Sequence, residues 1–513
     1  MTTDDFVGIA TAALERGMDD GARRRAPGAI AAVCERGEVR AVLTHGNANR
    51  GGRRTTRDTV FRIASMSKSF LGAAVLALRD DGVLDLHAPI TIYLPDVVMH
   101  HDGTPVTVTG AMLLSNRAGL GEDNAWADRN LGASRSELMA MLADGIRLTA
   151  APGTTYQYSN LGISLLGRAI ESVTGRAVEE VVRERILDPL GLGSTAYVAD
   201  GYPTPLLAQG ERTFDDGETF ISEPFVGSGA LACIGSMFST VDDIAAWMWF
   251  LGSALSDDPV RPEVLAPRSR RELQEMHTPI PLHADRFGDR DLLAAGYGYG
   301  VVIEEDRRFG RVIQHAGGLP GFSSHMRWHA ATGLGAVAFG NSDDFGAGVI
   351  ASAVLRDVLE GVQAPSAVVR PWTATVDAAR HVDAALRKGR SFADVSGFAD
   401  NVLRDIPAEI RDFRLAAVLA EIGGLRTEQP TFSDRVLTAG TEADMRWRIE
   451  GESADLLVDL RMIGLPIPRI QELSIAAATR GRRSDTDEPS RPSDHHRVVL
   501  PDARGEAVHA TGR

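Results

Sequence analysis

The sequence predicts an α+β protein: a mixed antiparallel sheet flanked by helices, an all-helical subdomain, and a small C-terminal α+β accessory domain. Three observations predict it. Two short β runs, Ala29–Cys34 and Val39–Thr44, stand near the start. A largely helical stretch over 105–200, punctuated by Gly, Asn and Pro, separates them from four more β runs between Tyr297 and Gly340. Beyond a linker at 363–371, helical and hairpin patterns begin again.

Residues 1–25 read as a helix, with Phe6, Ile9, Ala13 and Leu14 along one side. The turn Glu35-Arg36-Gly37 joins the first two strands. Val60–Ala64 reads as a short strand leading straight into a helix from Ser65 to Asp81, with Gly82 placed for a left-handed cap. Phe70, Leu71, Ala73, Val75, Leu76 and Leu78 cover most sides of that helix, so it should be buried and central. Another helix runs over Leu161–Thr174, and Thr240-Val-Asp-Asp243 has the form of a capping box opening a further one. Gly300–Ile303, Val312–His315, Ser324–Trp328 and Gly335–Phe339 then alternate with turn residues as a meander, closed by a helix over 346–359.

These elements make a main domain over 1–362. After the linker, 372–478 reads as an accessory domain, with helices near 393–404 and 407–422 and a hairpin of Met445–Ile449 with Leu456–Met462. Residues 479–513 are polar and charged, carry three prolines, and are expected to be disordered.

Composition bounds the partners. With 513 residues, 44% hydrophobic and 24% charged, the chain is an ordinary globular protein with material for a large core. A net charge of −15 without a long basic run argues against nucleic acid or an anionic membrane as partner. No segment approaches 18 consecutive apolar residues, and the start lacks the basic and apolar runs of a secretory signal, so the expected compartment is the cytoplasm. Cys34 and Cys233, far apart in sequence, read as reduced core thiols. His100-His101, His325 with His329, and His495-His496 have no carboxylate or cysteine cluster beside them, so neither metal nor cofactor is expected. The partner expected is a small molecule or short peptide, with a homo-oligomer left open.

Three short elements carry chemistry. In Ser65-Met66-Ser67-Lys68 the i,i+3 spacing places hydroxyl and amine on one helix face. A serine hydroxyl attacks only when a neighbouring base takes its proton, and a lysine does so when its surroundings lower its pKa. Arginine cannot take this role. Of 54 basic residues only Lys68 and Lys388 are lysine, so a lysine here is not explained by a need for charge. Unsatisfied N–H groups at the helix start suit a developing oxyanion. In Tyr158-Ser159-Asn160, a phenol can relay a proton and a carboxamide can hold a substrate amide. In His315-Ala316-Gly317-Gly318, after a β run, consecutive glycines on a strand edge let a substrate pair with the backbone, and a second oxyanion N–H can come from here. Each element alone has an ordinary reading: a chance S-x-x-K, a structural turn, a satisfied histidine.

Together and in this order, S-x-x-K, Y-x-N and H-x-G resemble the penicillin-recognising serine hydrolases, closest to the group of class C β-lactamases, DD-peptidases, D-aminopeptidases and family VIII esterases. Separations of 90 residues from Lys68 to Tyr158 and 157 from Tyr158 to His315 are similar to that group's, as are Phe61-Arg-Ile-Ala-Ser65, the Pro-Gly-Thr before Tyr158, and 235–243. The resemblance covers about residues 5–360. It implies the β-lactamase/DD-peptidase-like fold and an acyl-enzyme on Ser65, with Lys68 and Tyr158 sharing the proton. Asn160, His315, Gly317 and Gly318 would bind substrate, and the N–H groups of Ser65 and Gly318 would form the oxyanion hole. His315 stands where the β-lactamases usually have lysine, which implies the peptidase side of the group. The expected substrates are small amides, peptides with D-residues among them, or esters. Two other readings are a penicillin-binding-protein-type acyltransferase or peptide cyclase, and a sensor that is acylated without turnover.

Overall fold

Burial along the strands explains the main sheet. Gly28–Glu35 (β1) is buried at all but its last position, whereas Glu38–Gly46 (β2) alternates between exposed and half-buried residues. The first pattern belongs to a strand covered on both faces and the second to an edge. In this computed structural model, which describes residues 2–203, 206–283, 287–288, 290–478, 496–501 and 507–509, the other strands are Thr278–Pro279 (β3), Leu292–Tyr297 (β4), Val302–Asp306 (β5), Gly310–Leu319 (β6), Phe322–His329 (β7) and Leu334–Gly340 (β8). They form one eight-stranded sheet in the order β3-β4-β5-β6-β7-β8-β1-β2. The meander is thereby joined to the N-terminal pair: β8 runs antiparallel to β1 with Ala29 opposite Gly340 and Cys34 opposite Gly335.

Helices cover both faces. His325 and Trp328 on β7 point to opposite sides, and a methyl on Gly348 of the Ala347–Gly361 helix would meet the first, one on Gly252 of the Val241–Gly252 helix the second. The large core gathers Trp247, Phe250, Trp328 and Phe339 with the helix Ser67–Asp80, whose residues 67–78 are all buried as expected. That helix ends with Gly82 at φ +74, its N–H donating to Arg79 O at 2.9 Å.

Several boundaries differ from the sequence reading. Residues 1–25 form two helices, Thr3–Gly17 and Asp20–Arg24, because Asp19 accepts from Ala22 N and caps a new start. Ser65 sits in a 3-10 turn, Ala64–Met66, ahead of the α-helix. Thr240 caps its helix, but Asp243 does not close the box, since its Oδ2 accepts from Ser194 N and Thr195 Oγ1.

The chain divides into two compact units, Met1–Arg307 with Arg311–Ala364, and Arg308–Gly310 with Pro365–Arg513. The second has its own core around Trp447, Ile449, Val458 and Leu460. Its sheet runs Val436–Thr438, Asp444–Ile449, Asp455–Ile463, Arg469–Ala478 in that order and is open, not a closed barrel. The Thr373–Arg387 helix, which the sequence reading did not contain, buries Val376, Ala379, Val382 and Leu386. Its Asp383 takes both terminal nitrogens of Arg435, at 2.5 and 2.8 Å, and Trp447 Nε1 at 3.1 Å. Ala367–Val369, inside the expected linker, pairs in parallel with His496–Pro501 from the expected tail, because Val498 and Leu500 there are apolar and buried. The rest of the disorder expected over 479–513 falls outside the described residues apart from the strand Ala507–His509.

Candidate active site

From Thr59 to Leu78 every residue is buried except Ser65, which is half-buried and so the one side chain of this run that reaches solvent. The chain is bent to present it: Ala64, immediately before, has φ +48, a left-handed conformation that alanine adopts at a cost. The bend is held from three sides. Ser67 Oγ donates to Ala64 O at 2.6 Å, Ser324 Oγ donates to Ile63 O at 2.8 Å, and Ile63 N donates to Met237 O at 2.9 Å.

Lys68 lies one turn on. Its Nζ is 2.8 Å from Ser65 Oγ and 2.8 Å from Ile234 O. The residue is fully buried, and that desolvation pulls the amine down to about 7, against a smaller upward pull from Asp128 and then from Cys233 and Asp123. An amine half deprotonated near neutral pH keeps a lone pair for the Ser65 proton while Ile234 O holds one of its N–H groups. Tyr158 completes the cluster, with Lys68 Nζ 5.0 Å from its ring centroid. Burial pushes its phenol well above the usual range, opposed by a hydrogen bond with Ser65. The phenol therefore stays protonated and is no standing phenolate.

Asn160 is not in a loop. It is the first residue of the helix Asn160–Thr174, capped by Ser159. Asp123 anchors this start: its carboxylate accepts from Asn160 N at 2.7 Å, Leu161 N at 2.9 Å, Ser159 Oγ at 3.1 Å and Asn160 Nδ2 at 3.2 Å. Asn160 Nδ2 also donates to Asn124 Oδ1, which leaves its buried Oδ1 without a hydrogen-bond partner.

His315, Gly317 and Gly318 lie inside β6, the fourth strand from one end of the sheet, and the two glycines differ. A methyl on Gly317 would sit 2.1 Å from Ser324 Oγ and 2.3 Å from Ile63 O, so this glycine lets the strand press against the bend before Ser65. A methyl on Gly318 would meet nothing within 4 Å. The two-residue turn at Pro320-Gly321 makes Leu319–Phe322 a hydrogen-bonded pair, and alternation makes Gly317–Ser324 another. The N–H groups of Ala316 and Gly318 thus point away from β7. Because β5 has five residues and β6 ten, the second half of β6 runs past its neighbour and is open on that side. The sequence reading placed a substrate-facing edge here; it exists locally, at Gly318, within a strand that is otherwise interior.

The structure thus gathers Ser65, Lys68, Tyr158 and His315, and places Asn160 and Gly317 in supporting positions. Sequence reasoning missed Asp123 and Asp128, which carry no motif, and Tyr297. Asp128 is half-buried on a short helix, and its carboxyl is raised to about 6 by burial, against the pull of Lys68. Among the described residues no group of three or more His, Cys, Asp or Glu could hold a metal ion.

Residues 11–360 match the beta-lactamase family. Esterase EstB of Burkholderia gladioli is 28% identical over 338 residues, spanning 58% of this chain and 80% of EstB. The D-amino acid amidase of Ochrobactrum anthropi SV3, solved with L-phenylalanine amide, has a TM-score of 0.53 at 26% identity, over 69% of this chain and 98% of the amidase. The octameric penicillin-binding protein homologue of Pyrococcus abyssi has a TM-score of 0.57 at 19% identity, over 91% of this chain and all of its own, a likeness of fold. With the greater part of its length matched and a half-buried Ser65 set against a fully buried Lys68, the chain belongs to the beta-lactamase family and is a serine hydrolase.

Proposed function

We propose that Ser65 is the nucleophile of an acyl-enzyme cycle on small esters and amides, D-configured amino acid derivatives among them. The observation that carries this reading is the 2.8 Å contact between Ser65 Oγ and an amine whose burial lowers it to about 7. As Oγ bonds to the substrate carbonyl carbon, its proton passes to Lys68 Nζ. The carbonyl oxygen becomes an oxyanion between the N–H groups of Ser65 and Gly318; one such donor is typically worth about 3 kcal/mol of transition-state stabilisation. Collapse breaks the bond to the leaving group, which takes a proton relayed from Lys68 through Tyr158. Water, deprotonated by the same pair, then attacks the acyl carbon, and the Oγ–C bond breaks as that proton returns to Ser65 Oγ. The open edge at Gly318 holds the acyl chain. The esterase and the D-amino acid amidase to which the chain is similar support the two substrate classes.

Two lesser parts of this reading rest on single observations. Cys34 and Cys233 are both free and buried, which supports work in a reducing compartment, the cytoplasm. No helix among the described residues is long and apolar enough to cross a membrane. The octameric state named for the Pyrococcus homologue supports a homo-oligomer.

The test is the intact mass of the wild type and of Ser65→Ala after exposure to an activated fluorophosphonate. One adduct on the wild type and none on the variant is the expected result; equal labelling of both, or of neither, removes the mechanism.

A further inference from the structure

Tyr297 belongs to none of the three sequence elements, yet it is fully buried at the end of β4 beside two of them. Its ring stands edge-on to Tyr158 at 6.1 Å and to His315 at 6.0 Å. Its hydroxyl is 3.1 Å from His315 Nε2, and His315 Nδ1 is 2.6 Å from Ala316 O. A carbonyl only accepts, so Nδ1 carries a proton. In the neutral ring Nε2 is then an acceptor, and Tyr297 is its donor. Burial, with Lys68 nearby, holds the imidazole down at about 3, so the ring is neutral at working pH.

The strand is affected in turn. Ala316, like Gly318, directs its backbone groups away from β7 toward the open side, but its carbonyl is occupied by His315. Beside the Ala316 and Gly318 N–H groups, the wall at 315–316 therefore offers no cation. Tyr158, which hands the proton to the leaving group in the cycle above, has its ring 6.3 Å from His315, so the leaving group lies against this wall.

We propose that Tyr297 is a positioning residue that fixes the His315 tautomer, keeps the wall at 315–316 uncharged, and so selects leaving groups without a carboxylate. The inference rests on the acyl-transfer reading and narrows its substrates to esters and amides with neutral leaving groups.

Two esters of one acyl group test it, a phenyl ester and its 3-carboxyphenyl counterpart, which form the same acyl-enzyme and whose phenols leave about equally well. The wild type should show kcat/KM at least tenfold higher for the neutral ester. Tyr297→Phe should shrink that ratio threefold or more, and His315→Lys should shrink it further or invert it. Nitrogen-15 NMR of the wild-type histidine rings should show His315 protonated at Nδ1 alone, and Tyr297→Phe should lose that single tautomer. Equal or better use of the carboxylate ester by the wild type, a His315 protonated at Nε2, or an unchanged ratio and tautomer in Tyr297→Phe would overturn the proposal. The wild-type measurements decide it even where the variants fail to fold. Failure of the underlying reading is seen separately, as the absence of any acyl mass on Ser65 from either ester.

Discussion

At the scale of single residues, Lys68 sets the pH behaviour. Because its amine titrates at about 7, acylation should rise with pH along a limb centred there, measured as kcat/KM for a neutral ester. Asp128 pulls that value upward, so Asp128→Asn should move the limb to lower pH; a limb that stays in place would remove Asp128 from the site. The same burial bears on stability. An exposed lysine titrates near 10.5, so between about 7 and 10.5 the unfolded chain binds the proton that the folded chain has lost, and stability gains with pH. The penalty is complete below 7 and fades toward 10.5. Lys68→Met should therefore be stabilised relative to wild type more at pH 6 than at pH 9, by roughly 2–3 kcal/mol in denaturant unfolding.

At the scale of elements, the site depends on how three chain segments are pinned to one another. Asp123 binds four donors at the start of the Asn160–Thr174 helix, next to Tyr158. Asp123→Ala should lose about 2 kcal/mol of stability through the lost hydrogen bonds to the helix start, and kcat should fall with the loosened Tyr158. The glycines of β6 should respond in opposite ways. Gly317→Ala forces a methyl onto Ser324 Oγ and Ile63 O and should cost about 3 kcal/mol or prevent folding, while Gly318→Ala should melt like the wild type. Equal Tm values for the two variants would contradict the packing described. The helix after Ser65 and the strand that carries His315 were legible in the sequence, since a 3.6-residue or two-residue period is a local property, whereas the strand Leu292–Tyr297 was not. The Thr373–Arg387 helix and the two strands flanking the accessory hairpin, Val436–Thr438 and Arg469–Ala478, were not either, because their apolar sides become evident only in the packed unit.

At the scale of the whole molecule, each of the two units has its own buried core, one around Trp247 and Trp328 and one around Trp447. We propose that they are separate domains. Calorimetry should then resolve two transitions, and a chain ending at Ala364 should still be labelled at Ser65; loss of labelling in a folded truncation would tie the second unit to the cleft. The expected linker and tail partly form a parallel pair, Ala367–Val369 with His496–Pro501. Partners more than 120 residues apart leave no mark in either segment alone.

By itself the sequence determined that Ser65 and Lys68 lie within one helical turn, the order of the three motifs, and the antiparallel meander that carries the last of them. Each of these follows from spacing along the chain. Only the tertiary structure decided that the Lys68 amine is desolvated and lowered to about 7, because its pKa reflects what packs around it. It also decided that Asp123 and Asp128 approach the cleft, that Gly317 packs while Gly318 opens, and that Tyr297 holds His315. The physical reason is common to all four: burial, electrostatic field and van der Waals contact act between segments that chain spacing does not connect.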